Sequence, residues 1–400
     1  MPFDIRQEQL LDIASVLTER IREGLAHDNR EIACLPCYIP LKHIPQKGDA
    51  LVMDFGGTNV RAALVSLDNR QLHIKRGPVA HAIPLKRGET LDRESFLNNF
   101  SELIASLHPP QDLPLGYCFS YPTASTPDGD ARLLRWSKEV FVENTIGRKV
   151  GRLLLEHMAS QATPVRCSKV SVINDTVASA LAGLMASEAD EHIGLIVGTG
   201  HNLAAVLDGK MVPKLAGEIE WTGALPVNLE SGNLYPPHLT EYDDQLDARS
   251  TNPGKQRLEK AVSGVYLAHL LKIACPESRL EPESGSKGLA DLAYRDQHPR
   301  SQDSQLARQI LTRSAKLTAA ALTGLIRIFQ DSHTCNSVCI AAEGGLFWGD
   351  PHYKDQVAES LQELLASCGM SHISFSCVSV EHANLLGSAA AALSGSNRSD

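Results

Sequence analysis

The sequence has no long apolar run, no excess of positive charge and no repeated cysteine pairs. No apolar run reaches the roughly 18 residues of a membrane-spanning helix, so the sequence predicts no spanning segment. The net charge of −9 argues against nucleic acid and anionic membrane surfaces as partners. Nine cysteines form an odd, scattered set, which favours a reducing cytoplasm over a disulfide framework. We therefore expect a cytoplasmic protein.

Cys34 and Cys37 form an isolated C-x-x-C pair. A redox or metal-binding role is the minor alternative, because no second pair follows at zinc-finger spacing. The composition, 43% hydrophobic and 21% charged, is typical of a globular protein with an ample core. The N-terminus carries charges throughout, which predicts an amphipathic helix rather than a signal peptide. Its apolar face would contain Leu10, Ile13, Leu17 and Ile21, with Asp4 as a possible cap.

The sequence does contain a glycine turn between two apolar runs. ALVMDF and VRAALVSL predict adjacent strands joined by Gly56, Gly57, Thr58 and Asn59. Paired glycines let backbone amides approach a ligand closely, and Thr58, Asn59 and Arg61 add further donors, so the turn predicts a phosphate cradle. It lacks the Lys-Ser/Thr ending of a Walker loop, and no helix follows. The alternative is an ordinary hairpin.

A carboxylate, Asp54, ends the strand that precedes this turn. Because carboxylate and phosphate would repel each other, a magnesium ion between them is the best explanation. Two later runs also end in glycine turns, one at Thr199 and Gly200 and one at Gly344 and Gly345. Strands alternating with helices predict an α/β protein, in which ligands collect at this edge of the sheet. The pattern hints at two similar lobes around a shared ligand.

Asn174 and Asp175 lie between a predicted strand and a small-residue helix. A carboxylate there could accept a proton from a substrate hydroxyl during phosphoryl transfer. The alternative is a helix N-cap, which aspartate also favours.

Helices are predicted for several later segments. They cover residues 94–107, 144–160, 240–275 with a break at 252–254, 305–329 and 383–393. Polar connecting segments are predicted up to about residue 92 and over 278–304.

Taken together, the motifs resemble those of the hexokinase family, within the actin-like, ribonuclease-H-like ATPase superfamily. Seven motifs follow in the family's order: CLPCYI at 34–39, DFGGTNVR at 54–61, FSYP at 119–122 (F-S-F-P in the family), WSK at 136–138, NDT at 174–176, VGTGHN at 197–202, and the interrupted STNPGKQ, LEK and SG at 250–264. The length resembles that of single-unit bacterial hexokinases.

The resemblance implies a two-lobed α/β fold with a central cleft. It implies an N-terminal helix and lead at 1–46 packing on the large lobe, a small lobe at 47–173, a large lobe at 174–382, and a helix at 383–400 returning to the small lobe. The implied reaction transfers the γ-phosphoryl group of MgATP to the 6-hydroxyl of a hexose, with glucose expected. The implied assembly is a monomer or homodimer.

The resemblance also implies a role for each matching residue. Asp175 would be the general base, with Lys138 beside it in the catalytic set. The sugar would be bound by Ser120, Ser137, Lys138, Asn174, Asp175, Asn202, Glu230 and Glu259. The nucleotide would be bound by Asp54, Gly56, Gly57, Thr58, Asn59, Arg61, Thr199, Gly200, Gly344 and Gly345. Magnesium would lie near Asp54 and Asp175.

Some positions depart from the family's patterns. The family's V-N-x-E-W-G is split here between Glu220-Trp221 and the run from Val227 to Gly232, and we choose Glu230 over Glu220 as the sugar ligand. Glu139 follows Lys138 where the family has glycine, which adds a charge near the sugar loop. Gly345 replaces a serine near the nucleotide. His201 is expected to be a tolerated turn residue.

Three alternatives follow from other protein classes. A catalytically silent sugar sensor on this fold should have lost Asp175, Lys138 or the phosphate turn, and all are present. A repressor-related bacterial sugar kinase should carry a Cys/His zinc motif, which we do not find. An actin-like filament protein would have no use for the residues at the sugar-motif positions.

Overall fold

Two β-sheets, one in each lobe, organise the computed structural model of the chain. The structure describes residues 2–41, 45–57, 59–83, 90–136, 140–162, 164–216, 221, 223–295, 298–331 and 334–394. Thr58, Ser137, Lys138, Glu139 and Glu220, which the sequence analysis singles out, lie outside the described residues.

The helices and strands follow one another along the chain with short connections. In order they are α1 (Gln7–Ala26), β1 (Leu35–Pro36), β2 (Lys47–Phe55), β3 (Asn59–Asp68), β4 (Gln71–Ala82), α2 (Arg93–Ala105), β5 (Leu113–Phe119), β6 (Thr123–Ser125), β7 (Ala131–Leu133), α3 (Val150–Ser160), β8 (Cys167–Ile173), α4 (Asp175–Ala186), β9 (Glu191–Val197), β10 (His201–Asp208), β11 (Ala224–Asn228), α5 (Glu241–Ala248), α6 (Arg257–Val262), α7 (Gly264–Ala274), α8 (Gly285–Tyr294), α9 (Gln302–Gln330), β12 (Ser337–Glu343), α10 (Gly345–Gly349), α11 (Pro351–Ser367), β13 (Ser374–Val378) and α12 (Ala383–Leu393).

The small-lobe sheet has five strands in the order β4-β3-β2-β5-β8. Strands β2 and β3 form the predicted antiparallel hairpin, which places Asp54 opposite Arg61. Strands β2, β5 and β8 run parallel, so their carboxyl ends share one edge. The glycine turn, Ser120 and Asn174 follow these three strands and therefore lie along that edge.

The large-lobe sheet has six strands in the order β1-β11-β10-β9-β12-β13. Strands β9 and β10 are antiparallel and joined by the second glycine turn, as predicted. Strands β9 and β12 are parallel, which brings the second and third glycine turns to the same edge.

Helix α4 carries the chain from one lobe to the other. It follows β8 of the small lobe directly, yet it packs against β9, β10 and β12 of the large lobe and against α12. The contact with β9 is close: a Cβ atom at Gly194 would be 2.1 Å from the carbonyl oxygen of Thr176. Asp175, the first residue of α4, therefore lies at the point where the chain crosses between the lobes.

A shared core joins the lobes. Its buried apolar side chains come from both sheets and from α4 and α12, and they include Val52, Ala63, Leu181, Ala204 and Ala390. Helix α12 has the bounds that the sequence predicts, and it packs against β2 and β5.

The predicted N-terminal helix forms, and its apolar face is buried at Leu10, Ile13, Leu17 and Ile21. It packs against the long helix α9. The cap expected at Asp4 is wrong, because the helix begins after Arg6, whose backbone N–H donates to the Gln9 side chain at 3.0 Å.

Three segment predictions are wrong in part. The polar stretch up to residue 92 contains β4, a largely exposed edge strand. The loop predicted over 278–304 contains α8, a ten-residue helix that includes Gly285 and Gly288 and buries Leu289 and Ala293. The helix predicted from 144 begins at Val150, where the buried Asp130 carboxylate accepts hydrogen bonds from the Gly151 and Arg152 backbone amides.

Candidate active site

Two carboxylates meet where the lobes face each other. Asp54 is 9% exposed at the end of β2. Burial is the main reason that its pKa is raised; the nearby Asp175 carboxylate raises it further, and the Asn384 amide, the Cys118 thiol and Arg61 oppose the shift. The Oδ1 atom of Asp54 is buried and has no hydrogen-bond partner among the described residues. The cleft therefore holds two close carboxylates, one of them incompletely satisfied.

A divalent cation fits this arrangement. A buried carboxylate oxygen without a donor, beside a second carboxylate, is an environment that a positive charge would stabilise. Across the described residues, no group of three or more His, Cys, Asp or Glu side chains could hold a metal by itself. Magnesium is commonly held by one or two carboxylates together with substrate phosphates, so this donor set suits it.

The capping alternative belongs to Asn174 rather than to Asp175. Asn174 is the N-cap of α4, and its Oδ1 accepts a hydrogen bond from the Thr176 backbone amide at 2.9 Å. Asp175 Oδ1 accepts from the same amide at 2.8 Å, which fixes the orientation of its carboxylate.

A chain of side-chain hydrogen bonds runs from α4 to Glu230. Asn202 donates to the Thr176 hydroxyl at 3.1 Å and to Asn228 Oδ1 at 2.7 Å. Asn228 then donates to Glu230 Oε1 at 2.8 Å. Asn202 Oδ1 accepts from the Leu203 and Ser231 amides, so both ends of this side chain are engaged within the protein.

Glu230 lies in the left-handed backbone region at φ 60°, and its charge interacts with that of Asp175. Burial raises its pKa, and Asp175 adds to the shift, whereas Asn228 and Arg135 oppose it. Arg135 belongs to the small lobe and Glu230 to the large lobe, so their charges interact across the cleft. The choice of Glu230 over Glu220 as the residue that contacts the sugar stays a prediction.

The second glycine turn is packed against Glu259. The Glu259 Oε2 atom accepts a hydrogen bond from the His201 backbone N–H at 3.0 Å. A Cβ atom at Gly200 would be 2.9 Å from the same oxygen, so only glycine leaves room for this carboxylate. His201 is not the expected turn residue: it begins β10, it is 2% exposed, and burial lowers its pKa to about 4.

The first glycine turn is more open. Gly56 and Asn59 are exposed, and a Cβ atom at Gly57 would meet no atom within 4 Å in the described part of the chain, its neighbours in sequence aside. The Tyr121 hydroxyl donates a hydrogen bond to the Gly57 carbonyl oxygen, in the middle of the turn, at 2.8 Å. Ser120, beside Tyr121, is buried near Gly56.

The remaining predicted residues surround these groups. Trp136, just before the undescribed Ser137 and Lys138, is anchored by its ring N–H to the Thr145 hydroxyl at 2.9 Å. Thr199 is exposed at the tip of the second turn. Gly344 follows β12 and Gly345 begins α10 beside that turn, where a Cβ atom at Gly198 would be 3.2 Å from the Gly344 Cα.

Three residues of this site were not predicted from the sequence. The Val227–Asn228 pair just before Glu230 could have pointed to Asn228. The FSYP motif could have pointed to Tyr121, because the family has phenylalanine at that position. No local sequence pattern points to Asn384, because it contacts Asp54 from near the other end of the chain.

The C-x-x-C alternative does not fit the structure. Each of the nine cysteines is a free thiol, and Cys34 and Cys37 are buried in different cores. Burial raises the pKa of Cys34 to about 12 and that of Cys37 to about 11. Redox and metal chemistry needs the thiolate, which these environments disfavour.

Fold and site together define a class: a two-lobed α/β kinase whose glycine turns face buried carboxylates and amides suited to a polyhydroxylated substrate. Two family models described as hexokinase match this chain, one over residues 1–185 and the other over 192–279 and 287–394. The chain belongs to the hexokinase family, and it transfers a phosphoryl group from ATP to a hexose.

Relatives and solved structures support this assignment. Hexokinase-2 of Solanum tuberosum is 27% identical, over 94% of this chain and 85% of that protein. A Schistosoma mansoni hexokinase structure complexed with glucose has a TM-score of 0.81 at 24% identity, covering 98% of this chain and 96% of that one. The predicted two-lobed fold is confirmed.

A repressor-related kinase fits less well. A ROK family glucokinase from Streptomyces griseus, in complex with glucose and AMPPNP, has a TM-score of 0.56 at 18% identity, covering 87% of this chain and all 100% of that one. The Cys/His zinc cluster of that alternative has no counterpart in the part of the chain that the structure describes.

Proposed function

We propose that this hexokinase phosphorylates the 6-hydroxyl of glucose, or of a close relative, with the γ-phosphoryl group of MgATP and with Asp175 as general base. The observation that carries the proposal is the position of Asp175, beside Asp54 and at the crossing between the two lobes. A base must lie within reach of both the sugar and the transferred group, and this crossing faces both lobes.

The sugar would be bound by oxygen and amide groups from both lobes. We assign direct contacts to Ser120, Ser137, Lys138, Asn174, Glu230 and Glu259. We assign Asn202 to positioning rather than to direct binding, because its amide and oxygen already hold Thr176, Asn228 and the Ser231 amide. A buried polar group left unpaired by the wrong sugar costs about 1–3 kcal/mol, which gives such a site its selectivity.

The nucleotide would lie between the glycine turns. We assign phosphate contacts to Gly56, Gly57, Thr58, Asn59, Arg61, Thr199 and Gly200, and the adenosine to Gly344 and Gly345. Magnesium would be held near Asp54 and Asp175, where it would supply positive charge to the phosphates.

The reaction then needs one proton transfer by the protein. As the sugar 6-oxygen bonds to the γ-phosphorus, its proton passes to the Asp175 carboxylate. The bond from the γ-phosphorus to the bridging oxygen breaks, and ADP leaves with that electron pair. Glu230 and Glu259 would orient the sugar, and positioning supplies most of the rate. Closure of the lobes would exclude water as a competing acceptor.

We also propose the division into segments 1–46, 47–173, 174–382 and 383–400, a cytoplasmic location, and a monomeric or homodimeric assembly. Nine free thiols support the location. No helix in the described ranges combines the length and hydropathy of a membrane span.

The proposal predicts that Asp175→Asn lowers kcat for glucose by about 10²–10⁴-fold, the usual contribution of a general base. Glucose binding, measured by calorimetry, should persist. Asp92→Asn is the matched control, because Asp92 also accepts a backbone hydrogen bond at a helix N-terminus but is exposed and shows no charge interaction with Asp54 or Asp175. Near-normal turnover of Asp175→Asn would exclude the base.

Substrate class needs a separate measurement. We expect ATP consumption with glucose to exceed that with mannose, fructose or glucosamine. A wild-type protein that binds glucose but consumes ATP with none of the four would instead be a sugar sensor.

A further inference from the structure

The first glycine turn has a support that the reaction described above does not use. The Tyr121 hydroxyl donates a hydrogen bond to the Gly57 carbonyl oxygen at 2.8 Å. Gly57 is the middle of the proposed phosphate cradle, whereas Tyr121 belongs to the FSYP motif on the sugar side. This contact therefore links two segments with different substrates.

The Tyr121 ring is packed among other aromatic rings, which restricts the orientations of its hydroxyl. The side chain is 1% exposed. Its ring centroid lies 5.1 Å from that of Phe55, 5.2 Å from that of Phe119 and 5.0 Å from that of Trp136. Aromatic contacts at these separations favour defined ring orientations. Burial also raises the pKa of Tyr121, which keeps the hydroxyl protonated and able to donate.

The turn itself depends on such a support. Its two ends are fixed by the pairing of Phe55 with Val60 in the β2–β3 hairpin. Between them, a Cβ atom at Gly57 would meet no atom of the described residues within 4 Å, its chain neighbours aside. Glycine also has more backbone freedom than any other residue. A hydrogen bond to the Gly57 carbonyl oxygen removes part of that freedom.

The same ring contacts the sugar side. Trp136 stacks edge-on to Tyr121 and is anchored to Thr145 through its ring N–H. It directly precedes Ser137 and Lys138 in the chain. Tyr121 thus lies between the segment that leads into the sugar residues and the phosphate turn.

We propose that Tyr121 is a positioning residue for phosphoryl transfer: its hydroxyl holds the Gly57 carbonyl so that the amides of the turn face the phosphates of ATP. The inference rests on the proposed role of this turn in nucleotide binding. The residue acts through the turn and does not touch either substrate. Phenylalanine, which the family's pattern has at this position, would keep the aromatic ring but could not donate the hydrogen bond to the Gly57 carbonyl oxygen.

The test is Tyr121→Phe, assayed with glucose and ATP. A net hydrogen bond contributes about 0.5–1.5 kcal/mol, so the KM for ATP should rise about two- to tenfold. The KM for glucose should change less than twofold, because the ring that packs on Trp136 remains. Hydrogen exchange of a peptide covering residues 54–61 should become faster in the variant.

Tyr353→Phe is the matched control. It also removes a buried tyrosine hydroxyl, which bonds to Ser314 and Thr318 at 2.8 and 3.0 Å within the large lobe. It should reduce stability without changing the KM for ATP or exchange at 54–61. A general loss of stability is thereby separated from a loss of positioning.

Two results would overturn the inference. One is a Tyr121→Phe enzyme whose KM for ATP matches that of Tyr353→Phe. The other is an equal rise in both KM values, which would indicate a general disturbance of the cleft. Failure of this inference can be told apart from failure of the proposed function, because in the second case the wild-type protein itself would not phosphorylate the sugar.

Discussion

The two glycine turns that face the cleft are alike in sequence but are fixed in different ways. The second turn is enclosed by its own lobe: the Gly198 N–H donates to the Gly200 carbonyl, the Gly198 carbonyl accepts from Gly264 at the start of α7, and Glu259 packs against Gly200. The first turn is open around Gly57 and is tied by the Tyr121 hydroxyl.

The difference teaches that one motif pattern can serve two purposes. In the second turn the glycine makes room for a protein carboxylate, so the turn and a proposed sugar ligand share one packing arrangement. In the first turn the open space in front of Gly57 is available to a ligand. We therefore expect changes in the second turn to affect sugar and nucleotide together, and changes in the first turn to affect the nucleotide alone.

Among the tests that compare the two turns, the largest effect should come from adding one methyl group to each turn. Gly200→Ala places Cβ 2.9 Å from Glu259 Oε2 and must displace that carboxylate. Because a misplacement of about 1 Å can reduce rates about 10²-fold, kcat/KM for glucose should fall by about that factor. Gly57→Ala places Cβ within 4 Å of no described atom outside its chain neighbours, and it should raise only the KM for ATP. Equal effects of the two variants on the glucose constants would remove the distinction between the turns.

The next effect concerns the carboxylate beside the first turn. The pKa of Asp54 is raised by burial, so the folded protein holds this proton to higher pH than the unfolded chain does. Stability therefore decreases as pH rises through the window between the ordinary and the raised pKa. Asp54→Asn should be more resistant to urea at pH 7, without nucleotide or magnesium, than the wild type.

The same substitution should lower turnover. If Asp54 holds magnesium through water, its loss should reduce kcat about 10–100-fold, as is typical of groups that act through a metal's ligands. A variant that is both less stable and fully active would contradict both halves of this prediction. Asp49→Asn, on the same strand but in a surface ion pair with Lys75, serves as the control.

The smallest effect at neutral pH concerns the second turn. His201 has a pKa lowered to about 4 by burial, so the unfolded chain takes up a proton near pH 6.5 before the folded protein does. The free energy of unfolding should therefore fall by about 2 kcal/mol between pH 7 and pH 5 on account of this residue. His201→Met should lose that part of the pH dependence in urea titrations. An unchanged pH dependence would show that His201 takes up its proton in the folded state.

Much of the fold could be predicted from the sequence, because apolar strands ending in glycine turns are local patterns. The hairpin at Asp54, the strand pair around Thr199 and the closing helix α12 are examples. Helix α8 escaped prediction because few of its residues are buried. Strand β4 escaped it because an edge strand has few apolar positions.

The sequence identifies most residues of the candidate site, but it does not show which hydrogen bonds and contacts those residues make. The sequence pattern points to Asn202, but only the folded structure shows that its amide donates hydrogen bonds to Thr176 and Asn228. Asn384 and Tyr121 act through contacts with residues distant in sequence, which no local pattern contains. His201 is buried because it begins a core strand, although its neighbours in sequence suggest a turn.

The most direct test of the central claim is a crystal structure of the protein with glucose and a non-hydrolysable ATP analogue. The account predicts that the terminal phosphate lies between the Gly57 and Gly200 backbones, with the Asp175 carboxylate within about 3 Å of the sugar 6-hydroxyl. A nucleotide whose phosphates contact only one of the two turns, or an Asp175 side chain directed away from the sugar, would contradict it.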